Sequence, residues 1–493
     1  MTKNADSRLS LKAIFHPLKL TQGPCWRTIL FFSIPIIISY LLQQVYTISD
    51  AAIVGQTLTA DEVAGVTDTT PLVFVFLQFA FGSSAGFCAV TACRVGTHDQ
   101  NGVRRSLATQ FVLSGVLTVL LTATALLALD PMLAWINVTP ANATVYAAAR
   151  SYCEIIFAGI GAQLFYNFIC SFLRSLGDSV TPLVFLLFST LLNVRLDLLF
   201  ILAFGWGVAG AAFATVAAQL ISTVACFIYA FAKYPELRLG RDDWRITWYD
   251  VRRHVIQGIP LGLQFSVLTI GIIVMQGVVV QFDIIDGVMV SNAAQNGFGA
   301  ANKLNNLLMT PFNGLGSAMT SFAAQNLGAG DHERIKRGTL QSLIIAAVMM
   351  AVIVCCGLLL TINGAYLHIF LSADKISADT VRYGNTFLYV DLAMYPFLAF
   401  IFIVRNCVQG IGLPQFILGA GTAELAARVT VCLLLPPAFD GGVVSAAAPT
   451  AAYIAMCAAD PIAWMSADAV LLVPFVRNIL KKNYGYFNRH RAE

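Results

Sequence analysis

Residues 82–105 decide the fold, and they read GSSAGFCAVTACRVGTHDQNGVRR. A related stretch starts 232 residues later, at 314–337, and reads GLGSAMTSFAAQNLGAGDHERIKR. Both stretches run from glycines and small residues through an aspartate to a basic pair. Ile34-Pro35 also matches Ile259-Pro260, and the small-residue run 209–215 matches 444–450, in the same order along the chain. This ordered set of matches predicts a chain built from two copies of one unit.

The composition indicates a membrane protein. Of the 493 residues, 58% are hydrophobic and 11% are charged, whereas a soluble protein carries about 25% charged residues. So many apolar side chains cannot all be buried in a water-soluble core, and a bilayer is the solvent that suits them. The net charge is only +4, which gives no indication of nucleic-acid binding.

Long apolar stretches, separated by Gly, Pro and charged residues, predict twelve membrane spans. They lie near 28–50, 66–93, 106–129, 146–172, 179–203, 207–232, 254–282, 296–327, 338–362, 383–408, 414–436 and 443–476. The predicted fold class is therefore an all-α polytopic membrane protein of twelve transmembrane helices in two pseudo-symmetric six-helix lobes, 28–232 and 254–476. A loop at 233–253 joins the lobes, and tails lie at 1–27 and 477–493. Six spans per copy give both copies the same orientation, with the substrate path between them.

The basic residues predict the orientation. Most of the thirty Lys and Arg residues fall in the two tails and in alternate connections, including the 233–253 loop. Because short loops rich in Lys and Arg stay in the cytoplasm, we expect both termini to be cytoplasmic. Arg405 is counted here with the cytoplasmic connections, whereas Arg195, Lys303 and Arg428 fall inside spans. The expected location is the cell (inner) membrane.

The sequence offers no enzyme centre. It lacks the Gly-Lys dipeptide of a phosphate-binding loop and the zinc-protease pattern H-E-x-x-H. The eleven cysteines show no metal-ligand spacing. A pump driven by nucleotide hydrolysis within this chain is therefore excluded, and we expect no cofactor and no metal other than a coupling ion.

Ionisable residues inside spans are costly, and each is a candidate for function. Asn193 and Asp197 are four residues apart and therefore share one face of span five. Asp50 at the end of span one and Thr215 in span six are expected at a similar depth. These oxygen-bearing groups suit Na⁺, but the two carboxylates could instead carry a proton. Asp50 aligns with Met275 and Asp197 with Cys432, which predicts a single cation site, in the first half.

A second polar set is expected to line a substrate cavity. Gln295, Asn302, Asn306 and Asn313 fall on one face of span eight, with Lys303 beside it. Such a face is expected to contact a wet cavity or another helix instead of lipid. Gln264 of span seven, and Glu424 with Arg428 four residues later in span eleven, are assigned to the same cavity. The Glu–Arg pair could equally be a structural ion pair.

The chain resembles the multidrug and toxic compound extrusion (MATE) transporters over about 24–480. The resemblance rests on Ser33-Ile-Pro35 through Asp50 and Gly55, Phe172–Asp178 with Pro182, Gly207–Thr215, Gln325–Asp331, and Gln409–Gly412 with Glu424 and Arg428. It implies two six-helix lobes and export of amphipathic, often cationic, compounds against Na⁺ or H⁺ entry. It also implies a cation site in the first lobe that matches Asp50, Asn167, Asn193, Asp197 and Thr215, and Asn167 enters the set on this ground alone. Related transporters with an acidic residue in helix seven differ from this chain, whose span 254–282 has none.

Two alternatives remain open from the sequence. One is a flippase or exporter of a lipid-linked or lipid-like metabolite from the same superfamily. The few basic residues counted within spans favour a cationic or neutral cargo over an anionic one. The other is a membrane scaffold or receptor without transport, which leaves the buried carboxylates unexplained. The expected partners are a small organic substrate and membrane lipids, and the expected state is a monomer.

Overall fold

The computed structural model of the protein describes residues 17–234, 237–441 and 444–482. The predicted tails at 1–27 and 477–493, and the 233–253 loop, lie partly outside these ranges, at 1–16, 483–493 and 235–236. The described residues form an all-α membrane protein with twelve spanning helices in two six-helix lobes.

Each lobe consists of six helices, numbered here by span. The first lobe contains α1 (Cys25–Thr57), α2 (Ala60–Gly96), α3 (Gln100–Leu127), α4 (Ala143–Ala158 and Ile160–Ser175), α5 (Val180–Asp197, continued by a π-helical turn Leu198–Ala203) and α6 (Gly207–Lys233). The second contains α7 (Trp248–Gln281), α8 (Ala293–Ala329), α9 (His332–Thr361), α10 (Ala378–Ala393 and Tyr395–Gly410), α11 (Pro414–Asp440) and α12 (Thr450–Cys457 and Ala459–Pro474, continued by a π-helical turn Phe475–Leu480). Short helices at Leu129–Trp135 and Leu367–Phe370, and 3₁₀ turns at Arg241–Trp244, Ile362–Gly364 and Ala373–Lys375, lie in the connections. A small antiparallel hairpin, Ile284–Ile285 with Val288–Met289, joins α7 to α8.

The surface of the bundle suits a bilayer. Among the described residues, nine helices are long and apolar enough to cross a membrane, and the bent helices α4 and α10 qualify when their two segments are taken together. Helix α9 is the most apolar, and Ile344, Val348 and Val352 form an exposed apolar stripe along it. Helix α8 has 37 residues and completes the twelve spans, but it is less apolar than the others. From Asn302 onward, its polar side chains include several that line the space between the lobes.

The two copies of the repeated sequence adopt the same local structure. Asp99 caps α3 by accepting the backbone N–H of Gly102 at 2.9 Å, and Asp331 caps α9 by accepting that of Arg334 at 2.9 Å. Helices α4 and α10 both bend midway, by 44° after Ala158 and by 55° after Ala393. Each aspartate satisfies backbone donors that a helix start leaves unpaired. The matched motif therefore ends one helix and begins the next in both lobes.

Close contacts between the lobes follow the same symmetry. Helix α1 packs against α8 of the second lobe, and α7 packs against α2 of the first. A Cβ atom added to Gly82 would lie 2.7 Å from the carbonyl oxygen of Leu261, and one added to Gly314 would lie 2.4 Å from Cγ1 of Ile37. The small residues of the two repeats are thus needed for close approach of helices from opposite lobes.

The lobes also meet at one end of the bundle. We call this end the basic side; it carries residues 18–24, the turns at 97–99 and 330–331, and the loop at 237–247. Here a Cβ atom on Gly96 would lie 1.9 Å from the carbonyl oxygen of Gln325, and one on Gly328 would lie 2.0 Å from that of Cys93. Helices α2 and α8 therefore touch backbone to backbone and close the space between the lobes at this side.

Polar contacts fix the connections on the basic side. Arg334 donates to the carbonyl oxygens of Gln22 at 2.7 Å and Gly23 at 2.5 Å, and Leu18 N–H donates to Gly177 O at 3.0 Å. The segment before α1 is thus fastened to both lobes. Nearby, burial raises the pKa of Asp178, but hydrogen bonds from Lys233 and Thr181 outweigh burial and leave that pKa below its ordinary value. The Asp178 carboxylate therefore stays ionised and holds the α4–α5 turn.

Candidate functional site

A pair of carboxyl groups lies inside the first lobe, where α1 approaches α5. Asp50 and Asp197 contact each other closely enough to share a hydrogen bond when one of them carries a proton. Asp197 is fully buried, and neither of its oxygens has a hydrogen-bonding partner; Asp50 Oδ1 has none either. Unpaired buried carboxyl oxygens are unfavourable unless a proton or a cation satisfies them.

Neutral oxygen groups lie near this pair. Asn193 is one helical turn before Asp197, is fully buried, and has no partner for either amide atom. Thr215 on α6 lies close to the hydroxyl of Tyr46, which itself lies one turn before Asp50 and close to it. Tyr152 of α4 lies beside both carboxyls. Sequence reasoning missed the two tyrosines, although the four-residue spacing from Tyr46 to Asp50 was visible.

Asn167 is the remaining residue of the predicted cation site. It is buried on α4, and its amide nitrogen has no hydrogen-bonding partner. The Asp50 and Asp197 carboxyls lie close to each other, and Tyr152 lies near both. These contacts bring Asp50, Asp197 and, through Tyr46, Thr215 together, and Asn167 is a further buried amide of the same lobe.

A cavity of about 860 Å³ lies between the two lobes. Its lining runs from Ala92 and Ser321, close to the basic side, to Thr70 and Gln276, close to the opposite ends of α2 and α7. Aromatic rings such as Phe81, Phe265 and Trp464 form part of the wall. The contacts of Gly96 and Gly328 close the cavity at the basic side, so it extends toward the other side.

Most residues predicted for a substrate cavity line this space. They are Gln264, Asn302, Asn306, Asn313, Glu424 and Arg428. Gln264 is fully buried with neither amide atom partnered. Gln295 needs correction: it is exposed in the first turn of α8, where its backbone N–H donates to Asp283 Oδ2 at 2.9 Å. The polar face of α8 reaches the cavity only further along the helix, from Asn302 onward.

The second-lobe wall carries a network of ion pairs. Arg428 donates to Asp460 at 2.6 Å and to Glu424 at 3.4 Å. Arg405 lies 3.6 Å from the second oxygen of Glu424. The predicted placement of Arg405 in a cytoplasmic connection is therefore wrong, because this side chain is buried in α10 and lines the cavity. Spacing along one helix revealed the Glu424–Arg428 pair, but Asp460 and Arg405 come from other helices.

A buried carboxyl in the second lobe also escaped the sequence reasoning. Asp391 on α10 is fully buried and accepts a hydrogen bond from Asn305 Nδ2 at 2.7 Å. Asn305 in turn accepts one from the hydroxyl of Tyr395 at 2.6 Å. Asp391 lies within the predicted span 383–408, so the cost of burying charge was a sufficient signal. Arg195, by contrast, is exposed on the outer surface of α5 and faces away from Asp197.

Comparisons with known proteins agree with this architecture. A family model described as MatE matches residues 35–199 and 271–434, one stretch in each half. Over 394 residues the chain is 29% identical to the probable multidrug resistance protein YpnP of Bacillus subtilis (strain 168), covering 80% of this chain and 84% of the relative. Over 331 residues it is 24% identical to a FAD transporter of Shewanella oneidensis, covering 66% and 70%.

A solved structure shares the fold. The outward-facing conformation of a multidrug resistance MATE family transporter of the MOP superfamily superposes with a TM-score of 0.80, over 95% of this chain and 99% of that chain, at 21% identity. At that identity the match bears on the fold alone. The family match in both halves, together with the two-lobed bundle, shows that this chain is a member of the MATE family of multidrug efflux transporters and not an enzyme.

Proposed function

We propose that the protein is a secondary antiporter that exports amphipathic organic compounds in exchange for Na⁺ or H⁺ by alternating access. The observation that carries the proposal is the Asp50–Asp197 pair, whose buried oxygens lack protein partners. The pair belongs to one lobe, and the cavity for cargo lies between the lobes. Separate sites for ion and cargo are what an exchange between two conformations requires.

In this proposal Asp50 and Asp197 hold the coupling ion. Two carboxylates in a low-dielectric lobe repel each other, and one entering cation or proton relieves that repulsion. Asn193 and Thr215 supply neutral oxygen ligands, and the buried amide of Asn167 is the remaining member of the set. An all-oxygen set of this kind suits Na⁺, and a carboxyl pair also suits a proton. No organic cofactor enters the mechanism.

The orientation is proposed from charge and from the closed end of the cavity. Arg94, Arg104 and Arg334 are among the basic residues on the side where α2 meets α8. We assign this side to the cytoplasm, with both termini there, in the cell (inner) membrane surrounded by lipid. The cavity then opens outward. Function as a monomer is part of this proposal.

A second candidate is export of a lipid-like or lipid-linked metabolite through the same cavity. The relative named as a FAD transporter supports cargoes other than cationic drugs. The lining of the cavity favours this candidate, because it includes Arg174 and Arg405. The sequence argument for a cationic cargo did not count either arginine as lying within a span.

Purified protein in proteoliposomes tests the exchange. A fluorescent organic compound is loaded, and its movement is followed under a Na⁺ gradient alone, a proton gradient alone, or neither. Concentrative movement under one gradient and its loss with the matching ionophore are expected. Movement that never exceeds equilibrium under any gradient would assign the protein to passive transport or to no transport.

Labelling of single cysteines tests the orientation. In a background without native cysteines, Thr139→Cys and Arg241→Cys place a thiol at exposed positions on opposite sides of the bundle. An impermeant thiol reagent applied to intact cells should label position 139 and not position 241. The reverse pattern would invert the assignment of the two sides.

A further inference from the structure

The charged side chains around the cavity are not balanced. Arg174, Lys303, Arg405 and Arg428 line it, together with two carboxylates, Glu424 and Asp460. The location of the unbalanced positive charge therefore bears on the charge of the cargo.

In the second-lobe wall the charges neutralise one another. Arg428 pairs with Asp460 and Glu424, and Arg405 pairs with Glu424. Asp468 adds another carboxylate that interacts with Arg405. Each arginine of this wall therefore has at least one carboxylate within ion-pair distance, although the buried Nε of Arg405 has no hydrogen-bonding partner.

Arg174 is in a different situation. Its guanidinium lies over the ring of Tyr40, 5.5 Å from the centroid, and its buried Nε atom has no hydrogen-bonding partner. The Tyr40 hydroxyl is fixed by a 2.9 Å hydrogen bond with Ser317 of the other lobe. Among the ion pairs of the described residues, none involves Arg174 or Lys303. These two side chains are the source of the unbalanced positive charge.

The surroundings of Arg174 are suited to a small polar head. It lies in the lining with the hydroxyl groups of Ser171 and Ser321, and with Ala89 and Ala92, whose small side chains leave room. Farther from the basic side the wall becomes aromatic, with Phe74, Phe81 and Phe265. The cavity therefore has a positively charged closed end and an apolar middle.

We propose that the cargo is an amphipathic organic anion whose carboxylate or phosphate head binds Arg174 at the closed end, with its apolar body against the aromatic wall. A guanidinium that has no carboxylate partner can donate two parallel hydrogen bonds to such a head. Lys303 contributes a second positive charge toward the open end. The proposal rests on the transport function above and specifies its substrate class.

Two probes with the same body and opposite charge test this. Pyrenebutyrate and pyrenebutylamine share an aromatic body but carry an anionic and a cationic head. Their affinity for the purified full-length protein is measured by fluorescence in nanodiscs, with empty nanodiscs subtracted. The wild-type protein should bind the carboxylate at least about tenfold more tightly than the amine, because a charge-assisted hydrogen bond adds at least that factor.

Variants identify the residue responsible. Arg174→Gln should remove most of the preference for the carboxylate, and Arg174→Lys, which keeps the charge, should retain part of it. Lys303→Gln should reduce the preference less. Arg252→Gln, an exposed basic residue outside the cavity, serves as the control and should leave the preference unchanged.

Equal or tighter binding of the amine by the wild-type protein would overturn the proposal, as would an unchanged preference in Arg174→Gln. Nanodiscs with and without phosphatidylglycerol separate a soluble anion from a lipid headgroup; competition by phosphatidylglycerol would assign the site to lipid and overturn the cargo. Binding needs no gradient, so loss of ion-driven transport alone would reject the antiport and leave the charge preference standing.

Discussion

The two lobes share one architecture, but the carboxyl pair of each lobe has opposite surroundings. In the first lobe Asp50 and Asp197 face each other without a basic partner. In the second, Glu424 and Asp460 are held by Arg428. The spacing that aligns Asp197 with Cys432 also aligns Asn193 with Arg428. At the position where the second lobe carries the guanidinium of Arg428, the first lobe carries the amide of Asn193, beside two carboxyl groups that have no basic partner.

This difference indicates how a duplicated unit can separate two tasks. The second-lobe counterparts of Asp50 and Asp197 are Met275 and Cys432, both buried. A carboxylate paired with arginine is fixed in charge and position, because breaking the pair leaves an uncompensated buried charge. A carboxyl pair without arginine can instead take up and release a mobile cation. The comparison is therefore consistent with the proposal that exchange takes place in the first lobe, while the second lobe supplies a rigid wall.

The largest expected effect comes from neutralising the first-lobe carboxyls. Asp50→Asn and Asp197→Asn should abolish gradient-driven uphill export, because the ion loses its charged ligands. Cargo affinity should stay within roughly tenfold, about 1.4 kcal/mol, because the cavity is unchanged. Transport in proteoliposomes and equilibrium binding measure the two quantities.

Asp391→Asn is the matched control for that experiment, since it neutralises a buried carboxyl of the second lobe. Coupled export should persist in this variant. If Asp50→Asn still carries out uphill export, or if only Asp391→Asn loses it, the coupling site does not lie at the Asp50–Asp197 pair.

The next largest effect should be on stability. Arg428→Asn imitates the first lobe but leaves Glu424 and Asp460 without their shared partner, which should cost about 3 kcal/mol or more. Glu424→Gln should cost less, because Arg428 keeps Asp460 at 2.6 Å. Thermal unfolding of purified protein compares the variants. Equal stability of wild type and Arg428→Asn would show that the network is not a structural clamp.

A third test concerns a feature in which the lobes are alike. Leucine at Gly96 or at Gly328 cannot fit against the facing backbone, so either change should hold the basic side open and reduce transport about tenfold or more. The two variants should behave similarly, because the contacts are symmetric. A cysteine at Ala92, read with an impermeant reagent in inside-out vesicles, reports the opening. Strong labelling of this cysteine in only one of the two variants would show that the Gly96 and Gly328 contacts are not equivalent.

The smallest effect is expected at the neutral ligands. Asn193→Ala and Thr215→Ala each remove one oxygen and keep both carboxyls, so the ion concentration for half-maximal transport should rise by roughly tenfold or less. Titration of transport against Na⁺ or pH measures this. A complete loss of ion coupling in Thr215→Ala would show that the hydroxyl does more than serve as one neutral ligand.

Sequence reasoning reached the fold and part of the site for identifiable reasons. Helix length, apolar runs and the repeat at 82–105 and 314–337 are local, so the two-lobed fold follows from them. The four-residue spacings of Asn193 with Asp197 and of Glu424 with Arg428 are also local. Contacts between distant helices leave no such signal, which is why Asp460 was not recognised as the partner of Arg428.

Arg405 shows the limit of counting charges. A basic residue near the end of an apolar stretch is normally a loop residue on the cytoplasmic side. Here the helix continues to Gly410, and carboxylates from α11 and α12 compensate the buried guanidinium. Gln295 shows the reverse case: it has the right helical phase for the cavity but lies too near the start of α8 to reach it.

The unpaired guanidinium of Arg174 has a consequence for the energetics of the cell. With the exchange and the anionic cargo proposed above, each cycle brings a positive charge in and sends a negative charge out. A cell interior that is electrically negative favours both movements, and each charge contributes about 2.3 kcal/mol per 100 mV. Such a transporter is electrogenic, and the membrane voltage drives it even when the coupling ion has equal concentrations on the two sides. An equal exchange of one cation for a cationic cargo would instead be insensitive to voltage.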